Sequence, residues 1–359
     1  MFKIYQKYLI NNFLRKFLNI SVIFFSLIII MGILEEISFF NNLEASSFYP
    51  YLLTFLNAPI TLFEIFPFIF LITTQFLFYG LFKNDELNLL KKSGLSNLKI
   101  IKILFILSVL IGIFNVVIYY NIASKFKFHY SNIKNNFSND NKYLAMVTDS
   151  GLWIKDDIGG KTLIVKSSFL KEQYLSKTII NEFDNNYNLI RVIQSDKIDI
   201  DSNDWIIHNP TITIDNISKK QNNVIILSTN FDKEKINNLF SNISTLDLFK
   251  LFNLKKDFEK IGYSSDEIII HLLKLLTTPL LYGILTVLSG IIVFNFIGNK
   301  SLLFQVIIGI LVSVIIYYMN FIFSSLGNNG KIPLFLSIFY PLIIISFISI
   351  IGLININEK

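Results

Sequence analysis

The chain contains no cysteine, which excludes a disulfide framework, a Cys-ligated zinc or iron–sulfur site and a thiol nucleophile. Its three histidines, His129, His208 and His271, are too few and too scattered for a metal cluster, so neither a metal nor a cofactor is expected. Charge is also scarce: 16% of the 359 residues are charged, where a soluble globule carries about 25%. Apolar side chains fill the gap, at 52% hydrophobic with 36 phenylalanines. Such a chain is an integral membrane protein. Its net charge of +6 would suit nucleic acid, but residues 123–267 hold 19 Lys/Arg against 19 Asp/Glu. The whole excess therefore lies in the apolar remainder, where it bears on topology, and no nucleic-acid partner is expected.

A membrane crossing needs roughly 20 apolar residues. Phe17 to Leu34, Ile60 to Phe82 and Ile100 to Ile122 meet that length, followed by Leu275 to Ile297, Leu302 to Leu326 and Pro333 to Ile354. The pattern predicts a bundle of six transmembrane helices, three on each side of an inserted soluble domain. The first run is longer than the about 7–15 residues of a signal-peptide core, and no small-x-small cleavage site follows, so it is expected to be retained. Three regions result: residues 1–122, 123–267 and 268–359.

Basic residues in short loops stay in the cytoplasm. With the N-terminus inside, 11 of the 13 Lys/Arg of the membrane half fall on cytoplasmic segments, and only Lys274 and Lys331 fall outside. The expectation is a multi-pass protein of a bacterial inner membrane, with both termini cytoplasmic and residues 123–267 in the periplasm. Residues 1–16 carry Lys3, Lys7, Asn11 and Arg15 on one stripe and Ile4, Tyr5, Tyr8, Leu9 and Phe13 opposite. That is an amphipathic N-terminal helix suited to the membrane interface, or a simple stop at the membrane.

The inserted segment reads as β. Short branched or alternating runs recur at Leu152 to Lys155, Thr162 to Val165, Leu189 to Ile193, Trp205 to Ile207, Thr211 to Ile214 and Val224 to Leu227. Asn-, Asp- and Gly-rich clusters separate them. Many short strands without helical periodicity imply a sandwich, jellyroll or open barrel. The polar stretch from Asp232 to Asp266 is expected to return the chain to the membrane with some helix.

Catalytic chemistry finds no support. Gly160-Lys161-Thr162 ends like a phosphate-binding loop, but the first glycine of that pattern would fall at Lys155, so a hairpin turn is the better reading. No Gly-x-Ser-x-Gly elbow or Ser-His-Asp spacing occurs, and no catalytic residue is assigned. Two ionisable positions, Glu64 in the second span and Lys274 at the start of the fourth, are candidate substrate contacts; both are near enough to the interface to snorkel instead. Glu35 and Glu36 read as solvated boundary residues. Between the second and third spans, residues 84–96 hold two acids, Asp85 and Glu86, leucines that include Leu87 and Leu90, two lysines and a glycine stop. This composition predicts a short self-sufficient helix, which an ATPase subunit could grip; a solvated connector would not need Leu87 and Leu90 on one face.

In order and spacing these parts resemble the lipopolysaccharide-export permeases of the LptF/LptG family. The resemblance rests on Ile4-Tyr5-Gln6-Lys7-Tyr8-Leu9 at the N-terminus, Asp85-Glu86-Leu87 through Ser93-Gly94-Leu95-Ser96, the prolines Pro59, Pro67 and Pro279, and Ser150-Gly151-Leu152-Trp153-Ile154-Lys155, which looks like the G-type subunit. It implies a transport subunit that is not itself an enzyme, paired with an F-type permease and gripped by a cytoplasmic ABC ATPase dimer. Lipopolysaccharide enters by lateral gates on the first and fifth helices, and periplasmic β-jellyrolls pass it to a bridge with a single-span β-jellyroll component. Glu86 matches the acidic residue of the family's coupling helix. One departure stands out: better-known G-type members carry lysines near the outer end of the first helix, whereas Gly32 to Phe40 offers Glu35, Glu36 and no base. Rival readings are a secondary transporter, which would place broken helices and polar groups near the midplane, and a membrane-anchored sensor, for which no cytoplasmic segment is long enough to be an output domain.

Overall fold

The structure, a computed structural model, describes residues 3–41, 46–137, 152–158, 160–167, 169–171, 174–215, 217–221, 223–231, 236, 243–260, 264–296 and 301–357. Ser150 and Gly151 of the G-type stretch, Lys300 and Lys359 of the charge count, and much of the polar segment after Asp232 lie outside them. In chain order the elements are α1 (Ile4–Phe40), α2 (Tyr49–Lys83), α3 (Glu86–Lys92), α4 (Asn97–Phe114), a π-helical turn (Asn115–Tyr119) and α5 (Tyr120–Asn136). Strands β1 (Leu152–Ile158), β2 (Lys161–Ser167), β3 (Phe169–Lys171), β4 (Tyr174–Phe183), β5 (Leu189–Asp199), β6 (Asp204–His208), β7 (Thr211–Ile214), β8 (Ile217–Lys220) and β9 (Ile225–Ser228) follow. The chain then forms α6 (Leu248–Lys260), α7 (Asp266–Phe296), α8 (Leu302–Asn328) and α9 (Leu334–Asn357). Two compact units result, Met1–Tyr130 with Asp266–Lys359, and Ser131–Ser265.

Six stretches are long and apolar enough to cross a membrane: α1, α2, the continuous helix Asn97–Lys134, α7, α8 and Leu334–Ile356. The amphipathic N-terminus is not a separate element. It forms the first turns of α1, because residues 3–31 contain no proline or glycine to break the helix. The third helix likewise continues past Ile122 to Asn136, after re-phasing through the π turn. Pro59 and Pro67 remain inside α2 and Pro279 inside α7, as membrane helices allow when neighbours occupy the freed backbone.

α2 and α7 are the most deeply buried spans, while α1 and α8 keep broad exposed faces. α1 buries Leu9, Phe13, Phe17 and Ile20 at helical spacing. Phe13 lies 6.2 Å from Phe70, Phe17 4.9 Å from Phe70 and 5.8 Å from Phe66, and Phe70 stacks 4.4 Å from Tyr282. An aromatic seam thus joins α1, α2 and α7. Against α4, α7 approaches closely: a Cβ on Gly112 would lie 2.6 Å from the Pro279 Cα, so only glycine fits there. Side chains also reach across helices, from Ser289 Oγ to the Leu71 carbonyl at 2.7 Å and between Ser108 and Thr286 hydroxyls at 2.8 Å.

The second unit is an antiparallel sheet ordered β1-β2-β4-β5-β6-β9, with β3 on β4, β7 on β5 and β8 on β7. Its two long central strands change partners midway. β4 pairs β2 at Ile179–Phe183 but β3 at Tyr174–Ser176, and β5 pairs β7 at Val192–Gln194 but β6 at Lys197–Asp199. Inward-facing parity shifts at the same level: β4 buries Leu175 and then Thr178 and Ile180, and β5 buries Ile193 and Ser195 and then Ile198. Lys177, with φ +49°, marks this change on β4, and the β4–β5 register is the same on either side of it; the register shift between these strands falls between Glu182 and Phe183. A break of this kind bends the strands so that each half joins a different set of neighbours. Residues of both halves, including Val165, Leu175, Ile180, Ile193, Ile198 and Trp205, share one core.

Candidate functional site

The short helix between the second and third spans is shaped by its ends. Asn84 and Asp85 donate their backbone N–H groups to the carbonyls of Gly80 and Phe82, at 3.1 and 3.0 Å, which closes α2. Asp85 then takes φ +64°, the left-handed conformation that Asp tolerates better than most residues, and its carboxylate accepts from Asn88 Nδ2 at 2.7 Å. At the other end the Leu95 N–H reaches the Leu90 carbonyl at 3.1 Å and the Gly94 N–H reaches that of Lys91 at 2.9 Å. With Gly94 at φ +82°, this is a Schellman stop, and its apolar contact comes from Leu95 and Leu90, which both join the membrane-unit core.

That arrangement separates the sequence-predicted coupling residues. Leu87 is 3% exposed and packs into the core, Leu90 lies against it, and Leu89 is the leucine turned outward, at 61% exposed. Leu87 and Leu90 therefore seat the helix, while Asp85, Glu86 and Leu89 make its accessible face. The Glu86 carboxylate does not fold back on its own helix. One oxygen accepts a 2.5 Å hydrogen bond from the Tyr8 hydroxyl of α1, and the other lies 3.4 Å from Asn84 Nδ2.

At the opposite end of α1 lies a polar cluster that sequence reading missed. Glu36, expected to be solvated, is buried at 2% exposure and accepts from the Tyr130 hydroxyl of α5 at 2.9 Å. Lys127, one turn before Tyr130, lies 4.4 Å from that ring and donates to Asn57 Oδ1 at 2.7 Å. Tyr120 and His271 Nε2 are 2.8 Å apart, joining α5 to α7, and the Tyr119 hydroxyl donates to the Pro59 carbonyl at 3.0 Å. Glu64 and Lys274 are both exposed. Among the described residues neither side chain makes a hydrogen bond or ion pair, while the Lys274 backbone carbonyl accepts from the Thr277 and Thr278 hydroxyls at 3.1 and 2.8 Å. A buried carboxylate whose partner sits 94 positions away leaves no local signal. The one available clue was the tyrosine and lysine at Lys127 and Tyr130, one helical turn apart just beyond an apolar span.

The described residues hold no cluster of metal-ligating side chains. In the β unit two carboxylates are buried among the described residues: Asp156, which accepts from the Asn230 N–H and Nδ2, each at 2.8 Å, and Glu182, gripped by Lys161 at 2.7 Å and Arg191 at 2.5 Å. Burial alone would push the Glu182 carboxyl up, but the hydrogen bonds and charges of Lys161 and Arg191 outweigh that and hold it below the usual range.

Six stretches able to cross a membrane, in two groups of three along the chain with an antiparallel β unit inserted between them, make a multi-pass membrane protein. The family model for the lipopolysaccharide export system permease LptF/LptG matches residues 7–355, and the chain belongs to that family. No curated protein matches the chain.

Proposed function

We propose that this chain is the G-type permease of an ABC transporter that extracts lipopolysaccharide from the inner membrane and delivers it to a periplasmic bridge. In this reading an F-type permease is its membrane partner, and a cytoplasmic ATPase dimer supplies hydrolysis. Both termini and α3 face the cytoplasm, and the β unit, a jellyroll-like domain within residues 123–267, stands in the periplasm. The observation that carries the reading is α3: a short helix seated by Leu87 and Leu90, with Asp85, Glu86 and Leu89 facing outward between two spans of an export permease. A helix anchored in this way can be moved as a rigid knob. At the outer end Lys274, exposed and without an ion pair among the described residues, offers an ammonium to an anionic headgroup as a point charge, and Glu64 borders the same level. The G-type assignment rests on the sequence from Ser150 to Lys155.

The test is purification of the protein with its cellular neighbours, followed by identification of what comes with it. An ABC ATPase, a second permease of the same family and lipopolysaccharide are expected. Recovery without any ATPase, with transport driven by the proton gradient, would overturn the reading.

A further inference from the structure

We infer that Tyr8 is the positioning residue that ties the coupling helix to the first membrane helix, so that displacement of α3 is delivered to α1. This rests on the reading of Glu86 as the residue that faces the ATPase.

The contacts that hold α3 are of two kinds. Leu87, Leu90 and Leu95 bury it in the membrane-unit core, and such packing is non-directional, because apolar surfaces can slide with little change in buried area. The seam between α1 and α2 is of the same kind, built from Phe13, Phe17, Phe66 and Phe70. A hydrogen bond, by contrast, is lost when its atoms move apart by more than about half an ångström or tilt out of line. The Tyr8 hydroxyl provides that directional element. It donates to a carboxylate oxygen of Glu86, 78 positions along the chain, at 2.5 Å, and Asn12 of the next turn lies 3.5 Å from the same hydroxyl. Tyr8 is 42% exposed, so packing does not account for the phenol where phenylalanine would serve.

Beyond Tyr8, α1 is one unbroken helix to Phe40. Its far end is held by a second tyrosine–carboxylate pair, Tyr130 with Glu36, and by the close approach of Gly32 to Thr54 of α2. A rigid helix engaged at Tyr8 and Glu36 conveys motion from one membrane face to the other without a hinge. Glu86 then has two tasks: one carboxylate edge is turned to α1, and the remaining edge is available to a cation of the ATPase.

The experiment uses the whole transporter in lipid nanodiscs, comparing wild type, Tyr8→Phe, Glu86→Ala, the double variant of these two and Glu86→Lys. Tyr8→Phe is expected to assemble with the ATPase and hydrolyse ATP as wild type does, while lipid released per ATP falls roughly tenfold, the low end of what one hydrogen bond to a charged group sets. The double variant should be no worse than Glu86→Ala alone, because both remove one link. Wild-type release per ATP in Tyr8→Phe, or losses that simply multiply in the double variant, would overturn the inference. Normal assembly and export in Glu86→Lys would instead remove the coupling reading beneath it. A second readout needs no transport. Because the chain has no native cysteine, spin labels on Lys7→Cys and Lys91→Cys report the separation of α1 and α3 through the ATP cycle. One narrow distance that persists in wild type and broadens in Tyr8→Phe is expected, and an identical distribution in both would count against the tie.

Discussion

At the scale of single residues, the two ends of the chain's chemistry behave differently. Lys274 lies on an exposed face with its ammonium unengaged among the described residues, so replacing it should leave the fold intact and weaken a lipid contact. Lys274→Ala is expected to lose about 1.5–3 kcal/mol of headgroup binding, read as weaker photo-crosslinking to lipopolysaccharide and slower release. Unchanged crosslinking and release would show that the headgroup is held elsewhere. Glu182 is the reverse case, a carboxylate enclosed by Lys161 and Arg191. Because its folded pKa lies below the unfolded value of about 4.3, its contribution is fully present above that pH and fades as pH falls through the folded value. Hydrogen exchange in β2 and β4 should therefore accelerate below about pH 4 in wild type. In Glu182→Gln it should be faster already at pH 7, by the equivalent of about 1–2 kcal/mol, Lys161 being half exposed. Equal protection of the two proteins at pH 7 would show the pair to be neutral.

Among secondary-structure elements, the helices were the legible part. Apolar runs of about 20 residues have one outcome in a bilayer, so the six spans could be read from composition alone. β4 could not. Tyr174–Phe183 reads as mixed because its buried positions change parity at Lys177, and a strand that changes face midway loses the alternation by which strands are recognised. β8, Ile217–Lys220, is exposed throughout and carries no apolar face to find. The same limit hid Tyr8 and Glu36, whose partners are assigned by helix packing and not by neighbours in sequence. Packing also makes the α4–α7 crossing sensitive to size. Gly112→Leu must push its side chain against the Pro279 backbone, and is expected to destabilise the bundle by about 1–3 kcal/mol, measured as a lower thermal midpoint in detergent. A midpoint equal to wild type would mean that the crossing is looser than it is drawn.

For the whole molecule, orientation is the property on which the remaining roles depend, and it was argued from lysines and arginines in short loops. Alkaline phosphatase fused after Asn203, in the β unit, is expected to be active, and a fusion after Asn88, in α3, to be silent. The opposite pattern would place α3 outside the cell's ATP supply and end its role as a coupling helix.

The first helix also sets a length against the membrane. At 37 residues and about 1.5 Å per residue, α1 is about 55 Å long, while the hydrocarbon it crosses is about 30 Å thick. The surplus has to stand in water or be taken up by tilt. Both tyrosine–carboxylate pairs fall near the two ends of this rod, where the surplus collects, so the thickness of the surrounding lipid governs how each pair is hydrated. A thin membrane leaves them wetter and a thick one draws them toward oil, which makes acyl-chain length a physical variable of the permease.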